Sequence, residues 1–233
     1  MKAIESELAS LKANDTWEEV DHILPNAQVH RPIWRFKKKD DGRHKARLCF
    51  DGRFQCPGLD FFDTYSPVVQ METVRVLLSF SIVTKATVVL GDVLSTFVKS
   101  EVDADIFMSS PEGTTQGKVF QLKHSLYGLK QVAHLWWQDI HKYLCQELAF
   151  KTSPFDQCLY VKTMQSSFVF VLLYVDDLLV ISTSASELEK VFQHLFSCFE
   201  IKRASTIKHY LGLNVEVTTS LIHLSQSSHI IKM

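Results

Sequence analysis

The sequence of 233 residues has no excess of positive charge, because 25 lysines and arginines stand against 26 aspartates and glutamates, a net charge of −1. A basic balance is the usual global sign of a nucleic-acid-binding protein. Its absence, taken alone, argues slightly against DNA or RNA as a partner. With 46% hydrophobic and 22% charged residues, the composition is typical of a globular protein with one large or two small domains.

The sequence also has little that indicates a membrane or an oxidising compartment. Its longest apolar run, residues 168–175, has eight residues, whereas a membrane-spanning helix needs roughly 20. The charged N-terminal segment has no signal-peptide core. The five cysteines are scattered and form no Cys-x-x-Cys pair, so neither a zinc site nor a disulfide framework is indicated. We therefore expect no membrane partner and a reducing, intracellular setting.

The hydrophobic pattern predicts an α+β fold. Helices are predicted at the N-terminus and over 71–83, over 132–150 and after a capping box of Ser184 and Glu187. Strands are predicted on both sides of the turn at residues 40–42 and at six further segments, namely 88–93, 118–122, 168–175, 178–181, 209–217 and 221–225. From residue 88 onward the order is strand, helix, strand, strand, helix, strand. This order is typical of a ferredoxin-like antiparallel sheet with helices on one face.

The acidic pair Asp176-Asp177 separates two strands that are otherwise wholly apolar. One interpretation is that aspartate simply suits a tight, solvated turn. The other is that a divalent cation sits between the carboxylates and offsets their repulsion, since Mg²⁺ prefers oxygen ligands. Asp92 ends a neighbouring predicted strand, so Asp92 and Asp176 could face each other across the sheet and hold two ions about 3.5–4 Å apart. Asp92 alone could equally be a surface acid at a strand end.

A basic segment lies between Arg31 and Arg53. It contains nine lysines and arginines and three aspartates, a local charge of +6 within a chain of net charge −1. Lys45 and Arg47 share one strand face by the period of two. The segment is either a solvated charged hairpin or a surface for a polyanion.

Several ordered motifs resemble the reverse transcriptase domain of copia-type LTR retrotransposon polyproteins over nearly the whole chain. The motifs are the opening AIESELASLKANDTWEEV, the run HKARLCFDGRFQCPGLDFFDTYSPVVQMETVR, the seven-residue motif SLYGLKQ at 125–131, the box YVDD at 174–177 and HYLG at 209–212. The resemblance implies a right-hand polymerase with fingers and palm, the palm being the ferredoxin-like sheet. It implies fingers and an N-terminal helix in 1–87, a palm in 88–217 with a fingers segment at about 111–135, and the end of the primer-grip hairpin with a truncated start of the thumb in 218–233. The thumb would be largely missing.

The resemblance also implies roles for individual residues. Asp92, Asp176 and Asp177 would be catalytic and would hold two Mg²⁺ ions, with Mn²⁺ as a possible substitute. The implied nucleotide-binding residues are Lys38, Lys45, Arg47, Phe97, Gly128, Lys130, Gln131 and Tyr174, with Phe97 as a gate against the ribose 2′-hydroxyl or, alternatively, a core residue. The implied primer grip is Tyr210, Leu211 and Gly212. The partners would be an RNA or DNA template with its primer, a dNTP, and other parts of the same polyprotein such as RNase H and integrase.

Departures from the family pattern keep a second hypothesis open. Gly91 replaces a leucine beside Asp92 and weakens that strand. Asp51 places an acid in the basic segment, and residues 132–134 lack the usual Ala-Pro-Arg. The chain is therefore expected to be either an RNA-directed DNA polymerase module or an inactive remnant that retains nucleic-acid binding, with a two-metal nuclease disfavoured because the basic segment and gate serve nucleotide addition.

Overall fold

The computed structural model describes residues 2–23, 27–38, 42–94, 98–115, 117–218 and 221–230. Its helices and strands are, in chain order, α1 (Lys2–Ala13), β1 (Trp17–Val20), β2 (Val29–His30), β3 (Pro32–Lys38), β4 (His44–Phe50), α2 (Met71–Thr84), β5 (Thr87–Val93), β6 (Phe107–Ser109), β7 (Val119–Leu122), α3 (Val132–Lys142), β8 (Lys151–Thr152), β9 (Leu159–Thr163), β10 (Phe168–Tyr174), β11 (Asp177–Ser182), α4 (Ala185–Cys198), β12 (Ile201–Arg203), β13 (His209–Tyr210), β14 (Leu213–Val217), β15 (Ile222–Ser225) and α5 (Ser227–Ile230). The prediction of an α+β fold is confirmed.

The chain divides into two compact units, of which unit 1 comprises Met1–Ser66 and Ser95–Ile140. It contains a four-stranded sheet in the order β1-β7-β6-β2 and the separate β3–β4 hairpin. Leu11 of α1 packs in a core with buried residues of β4, β6 and β7, and Trp17 stacks on Phe120 with 5.4 Å between ring centroids. The apolar spacing of α1 thus reflects burial of one helix face.

Unit 2 comprises Pro67–Leu94 and His141–Met233 and is built on a six-stranded antiparallel sheet in the order β12-β5-β11-β10-β9-β8. The central strands β10 and β11 are almost continuously apolar because helices cover both faces. Phe192 of α4 covers one face beside Gly91, and the end of α3 contacts Tyr160 of β9 on that face. Phe80 of α2 packs on Phe168 and on its neighbour at position 170 on the opposite face.

Most predicted elements are present, but two differ. The helix predicted over 132–150 ends at Lys142 and continues as a π-helical turn, Tyr143–Glu147. The strand predicted over 209–217 is wrong, because Leu211 and Gly212 adopt φ values of 49° and 77° and form the two-residue turn between β13 and β14. Positive φ at both central residues is typical of a type I′ hairpin.

Ser184 caps α4 as predicted, since its hydroxyl accepts a hydrogen bond from the Glu187 backbone N–H at 3.4 Å. The reciprocal half of the predicted capping box is replaced, because the Ser184 N–H donates to the Ser182 hydroxyl at 3.0 Å and the Glu187 carboxylate pairs with Lys190 at 2.6 Å. None of the helices in the described part of the chain combines the length and apolar composition needed to cross a membrane.

A buried carboxylate from a distant loop fixes the start of α2. Asp156 is 5% exposed and accepts hydrogen bonds from the Gln70 backbone N–H at 2.9 Å and the Thr73 hydroxyl at 2.7 Å. Its other oxygen accepts the Cys158 backbone N–H at 3.0 Å. Asp156 therefore acts as an N-cap supplied from another part of the chain, and its charge suits the positive end of the helix dipole.

We predict that Asp156→Ala lowers the free energy of unfolding by about 2–3 kcal/mol, because buried donors lose a charged acceptor. Urea unfolding of the purified chain measures the change. The control is Glu216→Ala, whose side chain is 80% exposed and pairs only weakly with His223 at 4.0 Å; it should cost less than about 0.5 kcal/mol. Equal costs for the two variants would contradict the capping role.

Candidate active site

The acidic box lies on the hairpin between β10 and β11. Tyr174 pairs with Asp177, so the two-residue turn is Val175-Asp176 and Asp177 is the first residue of β11. The sequence predicted Asp176-Asp177 as the turn. Val175 has a φ of 54°, a left-handed conformation that is rare for a β-branched residue. Such strain, of order 1–3 kcal/mol, persists only where surrounding structure holds it and is concentrated at functional sites.

Asp92 reaches the same place through strand register. β5 pairs with β11 so that Asp92 lies directly opposite Asp177, and the Val93 backbone N–H donates to the Asp176 carbonyl at 2.9 Å. The sequence predicted Asp92 opposite Asp176, whereas the register puts Asp177 there and Asp176 in the adjoining turn. Residues opposite each other on neighbouring strands point to the same face, so the Asp92 and Asp177 side chains share one face.

Electrostatics confirm that these carboxylates influence one another. Burial, followed by the nearby Asp176 and Asp92 carboxylates, raises the pKa of Asp177 to about 6. Within the described ranges no three His, Cys, Asp or Glu side chains form a closed metal-binding cluster. Mg²⁺ usually takes one or two carboxylates and completes its shell with water and substrate phosphates. The acids therefore fit an open site for such an ion, and a cation there would relieve their repulsion.

Gly91 has a packing reason that the sequence did not reveal. A Cβ atom at this position would lie 3.1 Å from both the Ile201 Cγ2 and Phe192 Cε1 atoms. The Phe192 ring thus occupies the space above the glycine. This contact compensates for the missing side chain in the strand that presents Asp92.

Tyr210 lies in the electrostatic environment of the acids. Its side chain is 3% exposed, and its hydroxyl has no hydrogen-bond partner among the described residues. Burial, with smaller effects of Asp177 and Tyr174, raises the pKa of the Tyr210 phenol. Leu211 and Gly212 follow it in the β13–β14 turn. The sequence motif at 210–212 is therefore a hairpin whose first residue lies near the acidic box.

The β3–β4 hairpin in unit 1 separates the predicted basic residues by face. Arg35 lies opposite Arg47, and Lys37 lies opposite Lys45, which places these four cations on one face. Lys38 pairs with His44 and belongs to the other face. We call the first set the basic face. Like charges placed directly opposite each other destabilise a strand pair, so this arrangement favours a bound polyanion.

The acid that departs from the family pattern has a local partner. Asp51 accepts two hydrogen bonds from the Arg53 guanidinium, at 2.8 and 2.7 Å. This pair lies beyond the end of β4. Asp51 therefore pairs with Arg53, which is not a member of the basic face.

The backbone of the SLYGLKQ segment packs directly against the backbone at the end of β4. The Phe50 N–H donates to the Tyr127 carbonyl at 2.6 Å, and a Cβ atom on Gly128 would lie 2.2 Å from the Phe50 carbonyl oxygen. Gly128 also has a φ of 96°, which favours glycine. A Cβ atom on Gly52 would in turn lie 2.2 Å from the Gly128 oxygen. Only glycine fits at positions 52 and 128.

The two residues that end this segment join a polar network. The Lys130 backbone N–H donates to the Gln55 Oε1 atom at 2.8 Å, and its ammonium group donates to the Gln55 carbonyl at 3.0 Å. Gln131 is fully buried; its amide accepts from Gln55 at 3.1 Å and donates to the Asp60 carbonyl at 2.8 Å and to Asp103 at 3.1 Å. Gln131 therefore supports the loop from inside, whereas Lys130 is exposed.

Phe97, the predicted gate, lies outside the described residues. Sequence reasoning missed Gln55, Arg35, Lys37 and Tyr127 as members of these clusters. The period-two pattern of β3 signals Arg35 and Lys37, since cross-strand partners of Lys45 and Arg47 must share their face. Nothing in the sequence pattern indicates that Gln55 meets Lys130 and Gln131.

Comparison with known proteins shows the family to which this chain belongs. Residues 14–233 match the family model described as reverse transcriptase (RNA-dependent DNA polymerase). The chain belongs to this family. It is 34% identical over 99% of its length to the retrovirus-related Pol polyprotein from transposon TNT 1-94 of Nicotiana tabacum, and 30% identical over 99% to that from transposon RE1 of Arabidopsis thaliana. It spans 18% and 16% of those polyproteins. It is therefore a reverse transcriptase domain of the copia type.

Solved structures place this reverse transcriptase domain in the same fold. A foamy viral protease-reverse transcriptase in complex with double-stranded DNA matches with a TM-score of 0.53 at 17% identity, covering 99% of this chain and 36% of that one. A telomerase from Candida albicans with a fragment of telomeric RNA matches with a TM-score of 0.55 at 10% identity, covering 95% of this chain and 49% of that one. At these identities the likeness concerns the fold alone.

We predict that Gly128→Ala displaces the SLYGLKQ segment and destabilises the domain by about 3 kcal/mol, because the new methyl group meets a backbone oxygen. The matched control is Gly117→Ala. Gly117 has a φ of 81° but nothing within 4 Å of its Cβ position, so only the backbone cost of about 1 kcal/mol applies. Urea unfolding compares the variants, and equal losses would contradict the close approach.

We predict that Asp177→Asn stabilises the cation-free domain at pH 7.5 by about 1 kcal/mol, a value discounted for the partial exposure of the group. The folded pKa of about 6 lies above the unfolded value. Asp177 therefore contributes stability that is fully present below about pH 4 and is lost as the pH rises through 6. Urea unfolding in EDTA should show the advantage of the variant shrinking towards pH 4.5. A pH-independent difference would rule out this interpretation.

Proposed function

We propose that this domain extends a primer with dNTPs along an RNA or DNA template. The observation that carries the proposal is the meeting of Asp92 and Asp177 across β5 and β11, with Asp176 in the adjoining turn. Three acids gather at one end of this sheet and their mutual repulsion raises the cost of folding, although Lys202 of β12 lies opposite Asp92 on its other side. They suit a reaction whose main demand is to neutralise and orient phosphate groups.

We assign the palm mainly to the sheet of unit 2 and the fingers mainly to unit 1. The proposed bounds are fingers and N-terminal helix in 1–87, a palm at 88–217 and an interleaved fingers segment at about 111–135, although α2 within 1–87 belongs to unit 2. The strand order β12-β5-β11-β10, with antiparallel neighbours, supports a ferredoxin-like palm. We assign residues 218–233 to the end of the primer-grip hairpin and the start of a thumb.

The three acids would hold two Mg²⁺ ions, or Mn²⁺ in their place. Such ions, when bound, neutralise phosphate charge and lower the barrier to attack by the primer 3′-hydroxyl. The protein holds Asp92 and Asp177 on one face through strand register, which needs no reorganisation at the moment of reaction. Val175 fixes the tight turn that places Asp176 beside them.

The basic face would bind the triphosphate and the nucleic-acid backbone. Lys45 and Arg47 lie on it, while Lys38, on the other face, would contact phosphate separately. Gly128 and Lys130 form the exposed part of their loop, and Gln131 supports it from inside. We further assign Tyr174 to the nucleotide and Phe97 to discrimination against the ribose 2′-hydroxyl.

We assign Tyr210, Leu211 and Gly212 to the primer grip. Their hairpin turn offers backbone groups next to a buried ring that lies in the environment of Asp177. Because the relatives are polyproteins, other segments of such a chain, including RNase H and integrase, are proposed as partners.

We predict Mg²⁺-dependent extension of oligo(dT) on poly(rA) by the purified chain. Asp176→Asn and Asp92→Asn should each reduce the rate by about 10²-fold or more, as expected when a charged group is removed from a catalytic site. The control is Glu189→Gln on α4, a 51% exposed acid paired with Arg203, which should keep the full rate.

Template–primer affinity, measured by fluorescence anisotropy, separates the alternatives. The active domain and Asp176→Asn should bind the duplex equally, because the basic face is unchanged. Wild-type extension no greater than that of Asp176→Asn would overturn the polymerase proposal. Binding retained without extension would favour the inactive remnant.

A further inference from the structure

An arginine of the basic face stacks on an aromatic ring of the SLYGLKQ segment. The Arg47 Cζ atom lies 4.5 Å from the centroid of the Tyr127 ring. A guanidinium group over a tyrosine face gains about 0.5–2 kcal/mol, depending on solvent exclusion. The Tyr127 ring covers one flat side of the guanidinium. The N–H groups lie in the guanidinium plane, so the ring does not cover them.

The neighbours of Tyr127 hold the backbone of this residue in place. Its carbonyl accepts the Phe50 N–H at 2.6 Å, directly at the end of the strand that carries Arg47. Leu126 and Leu129, which flank the turn at Gly128, are 0% and 3% exposed and anchor the segment in the core. The segment is therefore anchored and the Tyr127 side chain packs against the core of unit 1, whereas Arg47 is exposed.

Charge explains why Arg47 needs such a platform. Arg35 lies directly opposite it, and like charges in that position repel. The charges of Lys45 and Arg47 partly offset the rise that burial causes in the pKa of Glu7, so this carboxylate lies in the electrostatic environment of Arg47, while the Tyr127 ring stacks directly on the Arg47 guanidinium.

We propose that Tyr127 is a positioning residue, which holds the Arg47 guanidinium in the plane needed for two parallel N–H···O bonds to the triphosphate of the incoming nucleotide. Paired hydrogen bonds of this kind require a fixed planar fork and are stronger than contacts of a freely moving cation. The inference rests on the proposed function, because it takes a dNTP as the ligand. Tyr127 acts through Arg47 and does not touch the substrate.

The test compares substitutions that keep or remove the aromatic face. Tyr127→Phe keeps the ring and should change the KM for dTTP less than 2-fold. Tyr127→Leu keeps apolar packing but has no ring face, and should raise the KM about 2- to 30-fold, the range that corresponds to the free energy of the stack, with kcat within 3-fold. Template–primer affinity should stay unchanged in both variants.

A double-mutant cycle with Arg47→Lys identifies the route of action. Lysine keeps the charge but not the planar fork, so Tyr127→Leu should add less than 2-fold to the KM in the Arg47→Lys background. The matched control is Phe54→Leu, which removes a second arginine–aromatic contact of unit 1, that of Arg53 at 5.5 Å, and should leave the KM for dTTP unchanged.

Any one of three kinetic results would overturn the inference: equal effects of the phenylalanine and leucine variants, full additivity with Arg47→Lys, or a KM effect of Phe54→Leu as large as that of Tyr127→Leu. Equilibrium binding of dTTP to the complex with a dideoxy-terminated primer gives a readout without chemistry. A wild-type complex that binds dTTP but never extends a normal primer contradicts the proposed function alone. A wild-type complex that binds dTTP with the same affinity as Tyr127→Leu contradicts the positioning role alone.

Discussion

The register of β5 against β11 is the constraint on which the candidate site depends. It sets Asp92 opposite Asp177, an unfavourable pairing that the apolar strands around it enforce. A slip by one residue would turn Asp92 to the other face of the sheet and move the buried side chains of β5 to the wrong side. The hydrophobic core thus fixes the position of the acids, and burial, followed by repulsion from Asp176 and Asp92, raises the pKa of Asp177.

On the basic face, strand pairing likewise brings like charges together, and here the charges are positive. Cross-strand pairing brings Arg35 to Arg47 and Lys37 to Lys45, although separation would be more stable in the absence of a ligand. Both clusters therefore store repulsion that a partner of opposite charge relieves. The net charge of −1 does not reveal this, because acids elsewhere in the chain offset a segment with a local charge of +6.

Two glycines and one buried carboxylate allow close contacts between secondary-structure elements. Gly128 lets the SLYGLKQ segment cross Phe50 at a distance that no side chain permits, and Gly91 leaves room for the Phe192 ring. Asp156 joins a loop to the start of α2 through three hydrogen bonds. The glycine contacts position the SLYGLKQ segment and the strand that presents Asp92, and the Asp156 hydrogen bonds position the start of α2.

The sequence by itself determined the fold class, the family, the main helices and the three acids, because apolar periodicity, the capping box and ordered motifs are local signals. Only the tertiary structure decided that Asp177 rather than Asp176 faces Asp92, that Lys38 lies apart from Lys45 and Arg47, and that Gln131 is buried. The sequence also failed at 209–217, where two residues with positive φ divide the predicted strand. The reason is physical: register, strand pairing and burial depend on contacts between residues distant in the chain, which period and propensity do not encode.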